Sequence, residues 1–328
     1  MSSGVTSNIL RALCTLALLL TTVGAYAQSW PTRPVKLIVA TGPGLATDIM
    51  ARLLAEGVSR ALGQQVVVEN MPGASGIVGA QAAARAPNDG YTLFFANASG
   101  LTSNMFMIKS LPYDPTRDYA AVAMVCDSGP FVVAVHPDLP ARTLAELIAY
   151  GKAQPGKLSY AVDASSGFGV VAGKLLNKRS GMAMVEVPYR ATAQMLQDAS
   201  TGTVQLLISS VAASDAFVQA GKLRRIAISS EKRFPGMEDL PTIGETLPGF
   251  VVDGWFAVLA PAGTPAPIVA RVNAAIVQFL QGAEVRQRIL GFGLAPSGAS
   301  TPESTAEFIR KDQERWRGLV KELGLEPQ

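Results

Sequence analysis

Between Val35 and Asn70 the apolar positions change period twice. Val35, Lys36, Leu37, Ile38, Val39 and Ala40 make a short, mostly β-branched run bounded by Pro34 and Gly42, which predicts a buried strand. Ile49, Leu53, Leu54, Val58, Ala61 and Leu62 then recur at helical spacing, and Gly63 closes the helix. Val66, Val67 and Val68 return to a strand that ends at Glu69 and Asn70. Between the first strand and the helix lies a turn of Thr41, Gly42, Pro43, Gly44, Leu45, Ala46, Thr47 and Asp48. A parallel unit of this kind presents ligands at the C-terminal ends of its strands. The helix starting near Thr47 aims free N–H groups and its positive dipole end at the same spot, which suits a carboxylate or a phosphate.

The alternation continues. Small residues dominate a helical stretch over 78–86, and 91–95 reads as a third strand. It ends in a segment rich in hydroxyl and amide groups, with Asn97, Ser99 and Thr102. That segment is a second candidate wall of a site, and a helix cap is an equally open reading. Residues 122–125 and 131–135 read as two strands joined by a turn of Asp127, Ser128, Gly129 and Pro130, where the chain first crosses between domains. A helix marked by Leu144, Leu147 and Ile148 and a strand over 158–162 start a second series. Its turn holds Ser165, Ser166, Gly167 and Phe168 and leads into another helix. Strands over 185–189, 204–208 and 225–229 follow, the first ending in Tyr189, Arg190 and Thr192, the second in Ser209 and Ser210. Residues 255–261 return as a strand to the first unit, and 265–280 and 284–290 read as helices. The last helix, from Pro302, carries Phe308, Ile309, Trp316, Leu319 and Val320 on one face. The pattern is α/β, with two lobes facing one cleft. Residues 28–128 with 254–328 form the first lobe and 129–253 the second.

Candidate chemistry narrows the choices. Gly42, Pro43 and Gly44 begin a G-x-G-x-x-G pattern with Glu69 where a ribose-binding acid would sit, but Thr47 stands at the third glycine and Pro43 removes a donor. Ser75 lacks a G-x-S-x-G frame, since Ile77 replaces the last glycine. His136 is the only histidine, so neither a histidine-based triad nor a histidine metal site can form. Residues 1–27 read as a secretory signal: one charge at Arg11, an apolar core over 12–23, and the A-x-A site Ala25, Tyr26, Ala27. Leu13 before Cys14 counts against lipidation. An exported protein seldom meets free NAD, which sets the dinucleotide reading well behind. Cleavage before Gln28 leaves 301 of the 328 residues, with 27 basic against 25 acidic side chains and Cys126 as the sole cysteine. A near-neutral chain without a basic run is not expected to bind nucleic acid. No cofactor, metal or catalytic residue is expected.

These runs together resemble a known family. The likeness lies in Trp30-Pro31-Thr32-Arg33-Pro34-Val35, Ala51-Arg52-Leu53-Leu54-Ala55-Glu56, Pro72-Gly73-Ala74-Ser75-Gly76, Asp89-Gly90-Tyr91-Thr92-Leu93, Val187-Pro188-Tyr189-Arg190 and Ala260-Pro261-Ala262-Gly263-Thr264-Pro265. In that order, over almost the whole exported chain, the set resembles the Bug receptors, extracytoplasmic solute-binding proteins of tripartite tricarboxylate transporters. The resemblance implies a type II-like, two-lobed periplasmic binding protein: two α/β lobes joined by two crossing strands, monomeric, closing on a small carboxylated solute for a membrane permease. The turn from Thr41 to Asp48 would hold a carboxylate through backbone N–H groups and water, and the turns at 96, 165 and 189 would supply other walls. Departures from the family pattern, with Leu45 and Ala46 in a less glycine-rich turn and Val170 and Ser209 where a histidine and an acid often stand, point to a more apolar cleft. An aromatic or branched acid is then as plausible as a dicarboxylate. Two alternatives stay open: a receptor that signals to a partner, and a secreted hydrolase or oxidoreductase.

Overall fold

The computed structural model describes residues 30–163, 167–189 and 191–327. β1 (Val35–Val39) pairs in parallel with β2 (Val66–Asn70) on one side and β3 (Thr92–Asn97) on the other. α1 (Ala46–Leu62) and α2 (Ile77–Ala84) are the crossovers, and two short helices follow β3, α3 (Ala98–Leu101) and α4 (Ser103–Met107). β4 (Tyr119–Val135) then leads into the second series. That series is α5 (Leu144–Ala153), β5 (Ser159–Asp163), α6 (Gly167–Ser180), β6 (Val185–Tyr189), α7 (Thr192–Ser200), β7 (Leu206–Ser210), α8 (Val211–Gln219), β8 (Arg224–Ile228) and α9 (Ile243–Thr246). β9 (Asp253–Pro261) returns, and α10 (Ala266–Leu280), α11 (Ala283–Gly291), β10 (Ala295–Pro296) and α12 (Pro302–Leu323) complete the chain.

Strand order is β2-β1-β3-β9-β4-β7-β5-β6, with β8 and β10 also paired to β4. One expectation is corrected here. The two strands predicted over 122–125 and 131–135 are a single strand of 17 residues. Gly129 and Pro130 do not turn the chain; bulges between Cys126 and Gly129 absorb the irregularity while β9 stays paired alongside. A bulge admits an extra residue and a proline without ending the ladder. Residues up to Pro130 pair with β9, and Phe131 to Val135 pair with β7 and β8.

This shared strand sets the direction of everything beside it. β3 is antiparallel to β9, and β9 to β4, so the parallel strands β1, β2 and β3 run with β4 toward the crossing. β7 is antiparallel to β4 and parallel to β5, which is parallel to β6, so these run against β4, also toward the crossing. Asn97 at the end of β3 lies level with Phe256, which lies level with Cys126; Ser210 at the end of β7 lies opposite Phe131. The C-terminal strand ends of both sheets therefore converge on one short stretch of β4.

α1 buries Met50, Leu54 and Val58 with Val272 and Ile276 of α10 on one face of the first sheet. α12 reaches both sheets. Its Asp312 accepts a 2.7 Å hydrogen bond from Trp255 Nε1 of β9, and its Trp316 packs edge-on to Phe168 of α6, centroids 4.6 Å apart. Glu322 near its end receives a two-pronged ion pair from Arg179 of α6 at 2.9 and 2.8 Å.

Close packing of α6 on the second sheet depends on Gly173. A Cβ there would lie 2.1 Å from the ring of Tyr160, which is fully buried. Gly173→Ala gains about 1 kcal/mol of helix propensity, yet displacing a buried ring costs typically about 1–3 kcal/mol. At 2.1 Å the clash wins. Gly173→Ala is expected to lower stability in chemical denaturation, whereas Gly318→Ala in α12, with open space around it, is expected to leave it unchanged or raise it.

Candidate functional site

The first βα turn is built by a ring of polar side chains. Asp48, in the first turn of α1, accepts the Gly44 N–H at 2.8 Å, Arg52 Nε at 3.1 Å and Asn70 Nδ2 at 2.9 Å. Asn70, the last residue of β2, also donates to the Thr41 carbonyl at 3.0 Å and accepts from Arg52 Nη2 at 2.9 Å. Burial works against the Asp48 charge, but Arg52, the Gly44 N–H and Asn70 outweigh it and hold the carboxyl below its ordinary value. The ring pairs one anion with one cation and fastens β1, β2 and α1 at the turn. Gly44 stands at φ 81°, a left-handed conformation that a side chain would strain.

This arrangement leaves the helix end open. The N-cap of α1 is Leu45, extended at φ −78°, ψ 159°, with no side-chain cap bond. Ala46 and Thr47 are the first two helical residues, and among the described residues no acceptor is bonded to their amides. The Gly44 amide, expected to join them, is instead taken by Asp48. Pro43 to Ala46 are exposed, Leu45 to 56 %, while the side chains of Thr47 and Asp48 are buried; Gly42 and Thr41 are partly buried. Thr41 Oγ1 is enclosed without a partner among the described residues.

The second wall divides. Asn97 is the cap of α3 and accepts from the Gly100 N–H at 3.2 Å and from Ser99 Oγ at 3.1 Å; both side chains are partly buried at the strand end. Thr102 is corrected: it is fully buried, and its hydroxyl donates 2.7 Å back to the Ala98 carbonyl. Sequence reasoning missed Asn104, whose side-chain amide donates to the Ser75 carbonyl at 3.2 Å. That bond ties α4 to the 73–76 loop, where Ala74 and Ser75 stand at φ 46° and 56°. Gly79, just after this loop, packs on β1's end, since a Cβ there would meet Ala40 Cα at 2.8 Å. The loop thus lies beside the first turn. The signal available was the Pro72-Gly73-Ala74-Ser75-Gly76 run, one of the segments that carry the family resemblance.

In the second sheet, Ser165, Ser166 and Arg190 lie outside the described residues. Gly167 is exposed at the start of α6. Phe168 is corrected: it is buried between Phe131, 6.3 Å away, and Trp316. Ser209 is corrected likewise, buried within β7, while the exposed Ser210 caps α8 by accepting the Ala213 N–H at 3.3 Å. Tyr189 is partly buried and donates to Asp198 Oδ2 at 2.8 Å; burial, then this bond, pushes its phenol up to about 12, so it stays a donor. Thr192 opens α7. Cys126 is wholly buried, which pushes its thiol up and keeps it unreactive.

Against this geometry stand the comparisons with known proteins. Residues 50–325 match the family described as "Tripartite tricarboxylate transporter family receptor". Protein BugT of Bordetella pertussis is 35 % identical over 323 residues, covering 97 % of this chain and 98 % of that one. A solved R. palustris protein with adipate superposes at a TM-score of 0.79 with 33 % identity, covering 91 % of this chain and all of that one. MatC from Rhodopseudomonas palustris with bound malate superposes at 0.72 with 30 % identity, covering 89 % of this chain and all of that one. Periplasmic binding protein BugD gives 0.74 with 30 % identity over 91 % of this chain and all of its own. With this family match over most of the chain, two sheets whose strand ends meet at one crossing, and an uncapped helix end there, the chain belongs to the tripartite tricarboxylate transporter receptors, two-lobed solute-binding proteins of the Bug type.

Proposed function

We propose that this receptor captures a small carboxylated solute and delivers it to a tripartite tricarboxylate-type permease, and that the Ala46 and Thr47 amides bind the carboxylate. The observation behind this is the open N-terminus of α1 at the place where both sheets direct their strand ends. Backbone donors at a helix end can balance one negative charge without a paired cation. Arg52, the cation of the polar ring beside this turn, is already committed to Asp48 and Asn70. Ser99 and Thr192, with Ser165, Ser166 and Arg190, are the proposed side-chain contacts around the solute. Relatives of known structure carry adipate and malate, which supports a carboxylic acid as ligand. The exposed Leu45 beside the free amides adds an apolar contact for a branched or aromatic acid.

Thermal melting against a panel of organic acids tests the receptor reading, because a ligand that binds only the native state raises Tm. A purified, ligand-free protein that no carboxylate stabilises would refute it. The N-terminal leader is proposed to be cleaved, so sequencing of the exported protein should start at Gln28; an intact Met1 on the exported form would contradict this.

Two variants separate holding the ligand from shaping the turn. Ala46 is the first helical residue, where proline is well tolerated, and Leu45 before it is already extended as proline requires. Ala46→Pro should therefore keep the melting temperature and lose most of the affinity, since it deletes one charge-assisted donor worth about 1.5–3 kcal/mol. Arg190→Ala should cost no more than about tenfold, roughly 1.4 kcal/mol. Calorimetric titration with the acid found in the panel measures both, and the reverse order of effects would replace the backbone with a side-chain cation.

Asp48→Ala should act differently. It strands the Gly44 amide and removes one of the two acceptors of the Asn70 amide, so stability should fall by about 1–3 kcal/mol along with affinity. Denaturant unfolding at constant pH checks this, and unchanged stability would mean the polar ring does not hold the turn.

A further inference from the structure

At the crossing itself sits a cluster outside the contacts proposed for the carboxylate. Asp253 opens β9 opposite Pro130, where β4 passes from one sheet to the other. Its carboxyl is buried and accepts from Ser128 Oγ at 2.6 Å and from the Gly129 N–H at 2.9 Å, so it joins the two crossing strands side chain to backbone. Beside these bonds Gly129 and Gly254 face each other across the ladder, and a Cβ on Gly254 would come 3.2 Å from the Gly129 carbonyl. Two opposed glycines give this point the backbone freedom that a pivot needs. The next residues along both strands are tied by Ser229, which donates to the Val252 carbonyl at 2.6 Å and accepts the Phe131 N–H at 2.9 Å.

Charged groups reach Asp253 from α12. Asp312, also buried, and Arg315, its ion-pair partner, are the charges that act on the Asp253 carboxyl, the arginine favouring its ionised form and the aspartate opposing it. On β4, Asp127 is next along; loss of solvation pushes its carboxyl up, and the charges of Arg286 and Lys232 only partly oppose that. Arg315 thus pairs with Asp312 and reaches Asp253 through its charge alone.

We propose that the strand crossing is a proton-linked hinge, in which Asp253, held between the two crossing strands beside the Asp312–Arg315 pair, takes up a proton as the lobes close and loses it as they open. The physical cause is solvent. Closure removes water from the crossing and penalises a carboxylate there, whereas opening readmits water and favours it. Burial already pushes the Asp253 carboxyl up to about 7, close to where such a link would be felt. Being raised, the group is protonated below that value, so the closed arrangement is favoured at lower pH and weakens as pH rises through about 7. By reciprocity, solute affinity follows the same course. That last step rests on the receptor function proposed above; the hinge itself does not.

The test contains no solute. Spin labels at Arg60→Cys and Lys222→Cys, both exposed and on different sheets' helices and loops, report the lobe separation by pulsed EPR, while the buried Cys126 stays unlabelled. The short-distance population should fall as pH is raised across about 7, and Asp253→Asn, which mimics the protonated acid, should hold that population constant. Ser128→Ala removes a bond that favours the ionised form, so it should move the midpoint to higher pH. His136→Gln should change nothing, since the single histidine lies beyond the end of β4 and accepts the Asp138 N–H at 3.3 Å. A separation that ignores pH in the otherwise unaltered protein overturns the proposal. So does a pH shift that survives in folded Asp253→Asn, an unmoved midpoint in Ser128→Ala, or a shift abolished by His136→Gln. Failure of the acid panel counts against the receptor function alone.

Discussion

The backbone ladder between β4 and β9 is the interaction on which the rest of this structure depends. Antiparallel pairing runs from Tyr119 opposite Pro261 to Pro130 opposite Asp253 and carries both strands up to the point where the sheets change over. Backbone donors and acceptors in a buried strand must find partners, so a turn at Gly129 and Pro130 would have left the floor of the cleft unsatisfied. A bulged but continuous strand avoids that. Its direction then dictates the direction of every parallel strand on both sides, which places the polar strand ends of two separate α/β units at one locus. The proposed site is a consequence of topology before it is a matter of particular side chains.

The chemistry assembled there is economical in charge. Asp48 and Arg52 neutralise each other, Asn70 satisfies both, and the turn they hold exposes amides rather than ammonium or guanidinium groups. A buried cation would bind an acid more strongly but would carry its own desolvation cost whenever the cleft is empty. Oriented amides carry only partial charge and are already fixed by the helix, so they can be left exposed between solutes at little expense. That suits the capture and delivery proposed for this receptor.

α12 gives the two sheets a common neighbour. Trp316 covers Phe168, Asp312 holds Trp255, and Glu322 grips Arg179, so contacts to both sheets lie on one helix. A rearrangement between the sheets has to be accommodated along this helix as well as at the crossing. The same packing explains why Phe168, placed by sequence at the ligand, belongs to the interior.

The opening strand, helix and strand, the glycine turn with its free helix amides, and the apolar face of the last helix were legible in the sequence, because period and turn chemistry are short-range properties; the helices over 192–200 and 211–219 were not read there. Val35 to Val39, Ala46 to Leu62 and Pro302 to Leu323 form as their residue patterns require. What the sequence alone left open was the fate of small polar and aromatic residues near strand ends. Thr102, Phe168 and Ser209 turn inward, Asn70 and Asn104 fasten loops, and residues 127–130 run straight on. Most of these outcomes are set by a partner distant along the chain, such as Trp316 for Phe168, Ser75 for Asn104 and β9 for Gly129. Local patterning specifies backbone conformation, but which groups are buried or paired is decided only when remote segments meet, and that is a property of the tertiary structure.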